Sequence, residues 1–82
     1  MTIKKGLIIN QPDVGKLIRE IRNLMGLTQE QFAASLGVTY STTNRWENGR
    51  SKPSPLAMQK IEQMLNEMGE QGQKLLLKYS SN

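Results

Sequence analysis

The chain contains no cysteine and no histidine. Their absence removes the thiolate and imidazole groups that bind zinc, together with the commonest general base of enzymes. A zinc site and every cysteine-dependent or histidine-dependent catalyst are therefore excluded. The seven acidic residues are scattered singly, so no carboxylate pair suggests a shared acid–base site. An enzyme is the weakest class of function for this chain, and we expect no cofactor and no metal.

Long apolar runs are also missing. The run formed by Leu7, Ile8 and Ile9 is shorter than the about 7 to 15 apolar residues that a signal peptide needs. No other stretch approaches the roughly 20 apolar residues of a membrane span. We therefore expect a soluble, intracellular protein that has no membrane partner.

Length and charge restrict the remaining classes. A chain of 82 residues has room for one domain, and so small a domain buries little surface unless a partner subunit covers more of it. The length therefore favours a dimer. The formal net charge of +4 suits a polyanionic partner, although mildly basic surfaces also occur in proteins that bind no nucleic acid.

Two short helices joined by a tight glycine turn are predicted by the stretch TQEQFAASLGVTYSTTNRWENG. Thr28 and Gln31 have the spacing of a capping box, in which each side chain satisfies a backbone donor at a helix start. Gly37 supplies the left-handed conformation that ends this helix after about two turns. Thr39 is a good N-cap for the second helix, which we predict to run to Asn48.

This arrangement is typical of a helix-turn-helix, whose second helix presents its outer face to the major groove of DNA. The outer face of the second helix carries hydrogen-bonding groups, whereas Trp46 faces inward. The alternative interpretation is a helical hairpin inside another small bundle, because helix, glycine and helix in succession are common.

A combination of short motifs makes the pattern specific: GLTQ, an alanine in the next turn, LGV, and RWENGR followed by KP, with LIREIRNLM upstream. In these motifs the chain resembles the phage Cro and repressor family over roughly residues 13 to 67. The resemblance implies an all-α, compact bundle of four or five helices of the lambda-repressor type, which binds operator DNA, usually as a homodimer. It also implies a cytoplasmic, nucleoid-associated protein of bacterial or phage origin.

The resemblance implies two sets of contacts with double-stranded DNA. The base-reading set lies on the second helix of the motif and comprises Tyr40, Ser41, Thr42 and Arg45. The phosphate-contacting set comprises Gln29, Asn48, Arg50 and Lys52. For Arg50 and Lys52 the alternative is an ordinary solvated loop, but phosphate contact is favoured because the loop after this helix passes over the sugar-phosphate strand.

The resemblance also implies a structural ion pair between Arg22 and Glu47, which ties the preceding helix to the end of the second helix of the motif. Thr43 departs from the family, which usually has Val or Ile at this position. A buried hydroxyl group there needs a partner, and a backbone carbonyl one turn back is the simplest.

One longer helix is predicted on each side of the motif. The first opens at Pro12 or Asp13 and ends at Gly26, and the last is capped by Ser54 and runs to about Glu67. The inward face of the first comprises Val14, Leu17, Ile18, Ile21, Leu24 and Met25. The inward face of the last comprises Ala57, Ile61, Met64, Leu65 and Met68. Gly15 inside the first helix indicates either a close backbone neighbour or a frayed first turn.

We divide the chain into an arm (residues 1–11), a DNA-binding domain (12–68) and a tail (69–82). The arm is interpreted as a short strand, a segment packed on a partner or a loose terminus, with Lys4 and Lys5 in reach of phosphate. The tail is either a dimer contact or a short fifth helix. It contains three consecutive leucines, Leu75, Leu76 and Leu77, which cannot all face one side of a helix.

Two hypotheses of function result. The first is a sequence-specific, double-stranded DNA-binding transcriptional regulator, a dimeric repressor that reads the major groove with the helix after Thr39. The second is an antitoxin or adaptor module, whose main role is to bind a partner protein. Polar residues on the second helix of the motif favour the first hypothesis, and the apolar arm and tail favour the second.

Overall fold

A computed structural model describes residues 13–79, which form an all-α bundle of five helices. The helices are α1 (Asp13–Met25), α2 (Gln29–Leu36), α3 (Tyr40–Glu47), α4 (Pro55–Glu67) and α5 (Glu70–Tyr79). The predicted all-α fold of four or five helices is confirmed for this part of the chain. The predicted arm lies outside the described residues. Within them, no helix has both the length and the apolar character needed to cross a bilayer.

Local signals set the ends of the two short helices. The backbone N–H of Gln31 donates to Thr28 Oγ1 at 3.1 Å, and the N–H of Thr28 donates to Gln31 Oε1 at 2.9 Å, so the predicted capping box is present. Gly37 ends α2 in the left-handed conformation, with a φ of 72°. The Thr39 hydroxyl group caps α3, and the helix ends at Glu47, one residue earlier than predicted.

The core lies between all five helices and holds one apolar cluster. Its largest fully buried side chains are Phe32, Leu17, Ile18, Ile21, Ile61, Leu65 and Val14. The predicted apolar face of α1 is wrong in its last turn, because Leu24 and Met25 are 46% and 45% exposed. The apolar pattern continues there in the sequence, but the helix has passed the neighbours that cover its earlier turns.

Gly15 lets α1 approach the end of α3. A Cβ atom at this position would lie 2.7 Å from the carbonyl oxygen of Trp46 and 2.8 Å from that of Glu47. Any side chain would therefore push α1 and α3 apart. Of the two predicted explanations for this glycine, the close backbone neighbour is the one observed.

Residues 70–79 of the tail form α5, which packs against α4 and α1. Leu75 is buried in the core, whereas Leu77 is 80% exposed, as the spacing of the leucines requires. At the end of α5 the Tyr79 hydroxyl group donates to Glu20 of α1, and Lys78 Nζ lies 3.1 Å from the same carboxylate. The short fifth helix thus covers the core of its own chain.

Thr43 is fully buried, and within residues 13–79 its hydroxyl oxygen has no hydrogen-bond partner. The predicted acceptor, a carbonyl one turn back, is therefore wrong: Thr39 O accepts the backbone N–H of Thr43 instead. A buried polar group without a partner costs free energy on folding. This position therefore suits an apolar side chain better than threonine.

Replacing Thr43 with Val is expected to stabilise the domain. Valine has nearly the same shape, and it removes a desolvation penalty of about 1 kcal/mol. For a domain of this size such a gain raises the Tm by about 4–8 °C. Thermal unfolding of the two proteins measures the effect. Thr43→Ser is the matched control, since it keeps the hydroxyl group and is expected to destabilise; a Thr43→Val protein that melts below the parent would contradict the prediction.

Candidate nucleic-acid interface

The two sides of α3 differ sharply in exposure. Thr43, Trp46 and Glu47 are buried against the rest of the bundle. On the opposite side Tyr40 is 50% exposed, and Ser41 and Arg45 are also exposed. Burial of one face holds the helix in place, so the other face presents hydroxyl, phenol and guanidinium groups to solvent in a fixed arrangement.

Thr42 differs from the other members of the predicted base-reading set. It is half-buried, its backbone N–H donates to Thr39 Oγ1 at 3.2 Å, and the two threonine hydroxyl oxygens lie 2.9 Å apart. Part of its hydrogen-bonding capacity is therefore used at the start of α3. Thr42 can offer a ligand its methyl group and the part of its hydroxyl group's hydrogen-bonding capacity that Thr39 does not use.

An ion pair anchors the end of α3 to α1. Arg22 Nε lies 2.6 Å from Glu47 Oε2, and a second guanidinium nitrogen donates to Glu47 Oε1 at 3.0 Å. The Glu47 side chain is 1% exposed and that of Arg22 is 17% exposed. Arg22 also donates to the carbonyl oxygen of Leu27, so it joins α1, the start of the motif and α3. The structure thus brings together the two residues of the predicted pair.

Arg19 is a third charged residue of this ion-pair network, and the sequence analysis did not predict it. Its Nε lies 3.4 Å from Glu47 Oε1, while its side chain remains 56% exposed. The signal was present, because Arg19 precedes Arg22 by one helical turn and residues at this spacing share a face. Glu47 therefore faces two guanidinium groups, of which one is held near the protein surface.

These contacts keep Glu47 ionised. Burial by itself would raise the pKa of its carboxyl group. Hydrogen bonds from Arg22 and Gln29, together with the charge of Arg22, outweigh this effect and leave the pKa below the ordinary 4.5. The hydrogen bond to Glu47 raises the pKa of the Arg22 guanidinium group above its usual value. The pair is therefore fully charged at neutral pH.

The lowered pKa of Glu47 predicts a pH-dependent stability. A group whose pKa is lower in the folded state stabilises that state fully above its unfolded pKa and loses the effect as pH falls through its folded pKa. We therefore expect the free-energy difference between the parent and Glu47→Gln to shrink below pH 4.5. Urea unfolding of both proteins from neutral pH into this range measures the difference. Glu20, whose pKa is also lowered, is present in both, so its effect cancels. A free-energy difference that stays constant over the whole pH range would contradict the lowered pKa of Glu47.

Two members of the predicted phosphate-contacting set are linked through a residue that sequence reasoning missed. Asn48 Nδ2 donates to Asn44 Oδ1 at 3.0 Å, and Asn44 Nδ2 donates to Gln29 Oε1 at 3.2 Å. Gln29 and Asn44 are half-buried, whereas Asn48 is exposed. Asn44 carries no motif signal of its own, because its partners are defined only once α2 and α3 cross.

The other two members, Arg50 and Lys52, are exposed on the loop between α3 and α4. Gly49 turns the chain with a φ of 73°, and the Arg50 N–H donates to the carbonyl oxygen of Arg45 at 2.9 Å. Pro53 is buried and so fixes the far side of this short loop to the bundle. Both cations therefore stand directly beside the end of α3. No group of carboxylates that could hold a metal ion occurs within residues 13–79.

A family model described as Helix-turn-helix matches residues 18–68, which include α2, the glycine turn and α3. The chain belongs to the helix-turn-helix family. The resemblance to its Cro and repressor members, predicted from the motifs, is confirmed. The match includes the whole of α3, with its buried and its exposed face.

Several relatives in bacteria and archaea carry the name HTH-type transcriptional regulator. One from Sinorhizobium medicae is 36% identical over 53 residues, or 65% of this chain and 38% of the relative. YazB of Bacillus subtilis is 40% identical over 52 residues, or 63% of this chain and 75% of YazB. A Methanothermobacter thermautotrophicus relative is 45% identical over 49 residues, or 60% of this chain and 71% of the relative. The chain thus matches 38% of the length of the Sinorhizobium protein. No solved structure matches it.

Proposed function

We propose that this protein is a sequence-specific, double-stranded DNA-binding transcriptional regulator that reads the major groove with α3. The observation that carries the proposal is the division of α3 into a buried face and an exposed polar face. Such a helix projects hydrogen-bonding groups without itself being free to move, as groove reading requires. Membership of the helix-turn-helix family and the names of the relatives support the same function.

In this function the base-reading set recognises the DNA sequence, and the phosphate-contacting set positions the protein on the duplex. Arg45 is the strongest base-reading candidate, because a guanidinium group can donate two hydrogen bonds to one guanine. Gln29, Arg50 and Lys52 position the protein on the sugar-phosphate strands, as cations and amide donors beside a recognition helix do. The formal net charge of +4 favours association with the DNA polyanion.

We further assign a homodimer that acts as a repressor. Leu24 and Met25 at the end of α1 and Leu77 on α5 leave large apolar side chains exposed, which a second copy of the chain would cover. Two-fold symmetry would set the recognition helices one DNA turn apart, roughly 34 Å. A dimer seated on such an operator would exclude other proteins from the same duplex, which is the simplest form of repression.

The second candidate is an antitoxin or adaptor that chiefly binds another protein. The observation that favours it is Leu77, which is 80% exposed on α5, a helix that is not part of the helix-turn-helix. The same side chain serves the dimer in the first proposal, so the two differ in what occupies α5 and in whether DNA is read. Both functions are compatible with this fold, so selection of DNA sequences is the experiment that distinguishes them.

Selection of bound duplexes from random DNA tests the proposed function. We expect a palindromic consensus, with affinity that falls steeply with salt by a log–log slope of about 0.9 for each phosphate neutralised. Competition with random duplex at the same salt concentration is the control, because retention on any polyanion would reflect charge alone. A best selected duplex that binds no tighter than random duplex would refute the regulator and favour the protein-binding module.

Arg45→Ala and Lys52→Ala are expected to fail in different ways. Loss of a base-reading arginine removes about 1–3 kcal/mol of discrimination, whereas loss of a phosphate-contacting lysine weakens every sequence alike and lowers the salt slope by about 1. Dissociation constants for selected and random duplexes, measured over a salt series, separate the two effects. Equal losses on both duplexes for Arg45→Ala would remove Arg45 from the base-reading set.

A further inference from the structure

Three side-chain amides form a chain between the recognition helix and the start of α2. It begins at exposed Asn48, passes through half-buried Asn44 and ends at half-buried Gln29, with donor–acceptor distances of 3.0 Å and 3.2 Å. Asn48 and Asn44 each donate a hydrogen bond from the side-chain nitrogen to the side-chain oxygen of the next amide. The chain therefore has a direction, and that direction decides which atom Gln29 turns toward solvent.

The buried carboxylate of Glu47 favours this direction. A carboxylate accepts hydrogen bonds and donates none, and this one is 1% exposed and held by Arg22. Gln29 Oε1 accepts from Asn44 Nδ2 at 3.2 Å, which leaves Nε2 as the group of this amide that can donate to the carboxylate; a hydrogen bond from Gln29 is among the contacts that lower the pKa of Glu47. The opposite orientation would aim a carbonyl oxygen at a buried negative charge.

The same orientation suits a DNA phosphate. An amide nitrogen carries two N–H groups, so Gln29 can donate one to Glu47 and still offer the other to a second acceptor. Phosphate oxygens, like carboxylate oxygens, only accept. An amide turned by half a rotation would present Oε1 instead, and two acceptors would face each other.

We propose that Asn44 is a positioning residue for DNA binding: by donating to Gln29 Oε1, it holds the Gln29 amide with its Nε2 group toward Glu47 and the phosphate strand. This inference rests on the proposed function and deepens it, since it names the residue that prepares the phosphate contact. Asn44 makes no contact with DNA in this role. The amide chain connects the buried ion pair to the surface that binds the duplex.

The free protein provides the first test, by NMR of the Gln29 side-chain amide. In the parent we expect its resonances to shift as Glu47 becomes protonated, because Nε2 donates to that carboxylate. In Asn44→Ala we expect the Gln29 amide protons to exchange with water roughly fivefold faster, the factor of a typical neutral hydrogen bond. Asn48→Ala is the matched control, since it breaks only the outer link and should leave the Gln29 resonances in place. Unchanged Gln29 exchange in Asn44→Ala would overturn the inference.

Binding to the selected duplex provides the second test, as a double-mutant cycle at fixed salt. We expect Gln29→Ala and Asn44→Ala each to weaken binding roughly fivefold. The double variant should be no weaker than Gln29→Ala alone, and the base preference of Asn44→Ala should stay that of the parent. Ser35→Ala, an exposed change on the same helix as Gln29, is expected to leave binding unchanged.

The outcomes separate this inference from the function on which it rests. Multiplicative losses in the double variant, or a relaxed base preference in Asn44→Ala, would show that Asn44 acts on its own and would overturn the positioning role alone. If the parent has no preference for the selected duplex, the proposed function and this role fall together. Thermal unfolding of Asn44→Ala checks the fold, and a loss of binding in the double variant that tracks a loss of folded protein would also count against the role.

Discussion

Glu47→Ala is expected to lower the free energy of unfolding by about 3–5 kcal/mol, the typical cost of removing one partner from a buried pair. The Glu47 side chain is 1% exposed, and its removal leaves the guanidinium group of Arg22 partly buried without its main acceptor. Small domains have about 5–15 kcal/mol of stability in total, so the variant loses a large share. The contact between α1 and the end of α3 is the part of the fold that weakens first.

Urea or thermal unfolding measures this loss, with Glu67→Ala as the matched control. Glu67 is exposed in the last turn of α4, so its removal is expected to change stability by no more than about 0.5 kcal/mol. In the double variant Arg22→Ala with Glu47→Ala, the loss should be smaller than the sum of the single losses, because no buried charge is left alone. A Glu47→Ala protein that melts within the error of the control would mean that the pair contributes nothing.

Gly72→Ala is expected to dislodge α5 and to lower the free energy of unfolding by about 3 kcal/mol, at the upper end of the cost of overpacking. A Cβ atom at Gly72 would lie 2.7 Å from the carbonyl carbon of Leu65 and closer still to its oxygen. Backbone atoms of α4 cannot rotate away as a flexible side chain can. The clash therefore outweighs the roughly 1 kcal/mol by which alanine normally favours a helix over glycine.

Gln73→Ala serves as the control for this substitution, because Gln73 is exposed at the next position of α5 and alanine there disturbs no packing. Thermal unfolding compares the two variants, and fluorescence of Trp46 reports whether the distant helix-turn-helix remains folded. An equal or higher Tm for Gly72→Ala would show that α5 sits farther from α4 than described.

Local backbone chemistry explains which parts of the fold could be predicted. The capping box of Thr28 and Gln31, the left-handed turn at Gly37 and the start of α4 after Ser54 each depend on residues within one helical turn of each other. Where a side chain required a distant neighbour, prediction was weaker: the hydroxyl group of Thr43 lacks the acceptor assigned to it. The exposed last turn of α1 is a second case of the same kind.

The candidate site divides in the same way. The ion pair of Arg22 and Glu47 was predicted only through the family resemblance, since 25 residues separate its members. Arg19 and Asn44 were missed, because their roles depend on where the Glu47 carboxylate and the Gln29 amide come to lie. Membership of the helix-turn-helix family and the exposed position of Arg45 follow from the motif itself.

The sequence by itself determined the family, the all-α fold class and the division of α3 into an inward and an outward face. These properties depend on caps, glycine turns and a helical period, which the chain specifies over a few neighbouring residues. Only the tertiary structure decided that Gly15 and Gly72 mark backbone contacts and that α5 is tied to α1 through Tyr79 and Glu20, which are 59 residues apart. Contacts of this kind arise from how packed helices bring distant side chains together, and the spacing of residues along the chain carries no record of that packing.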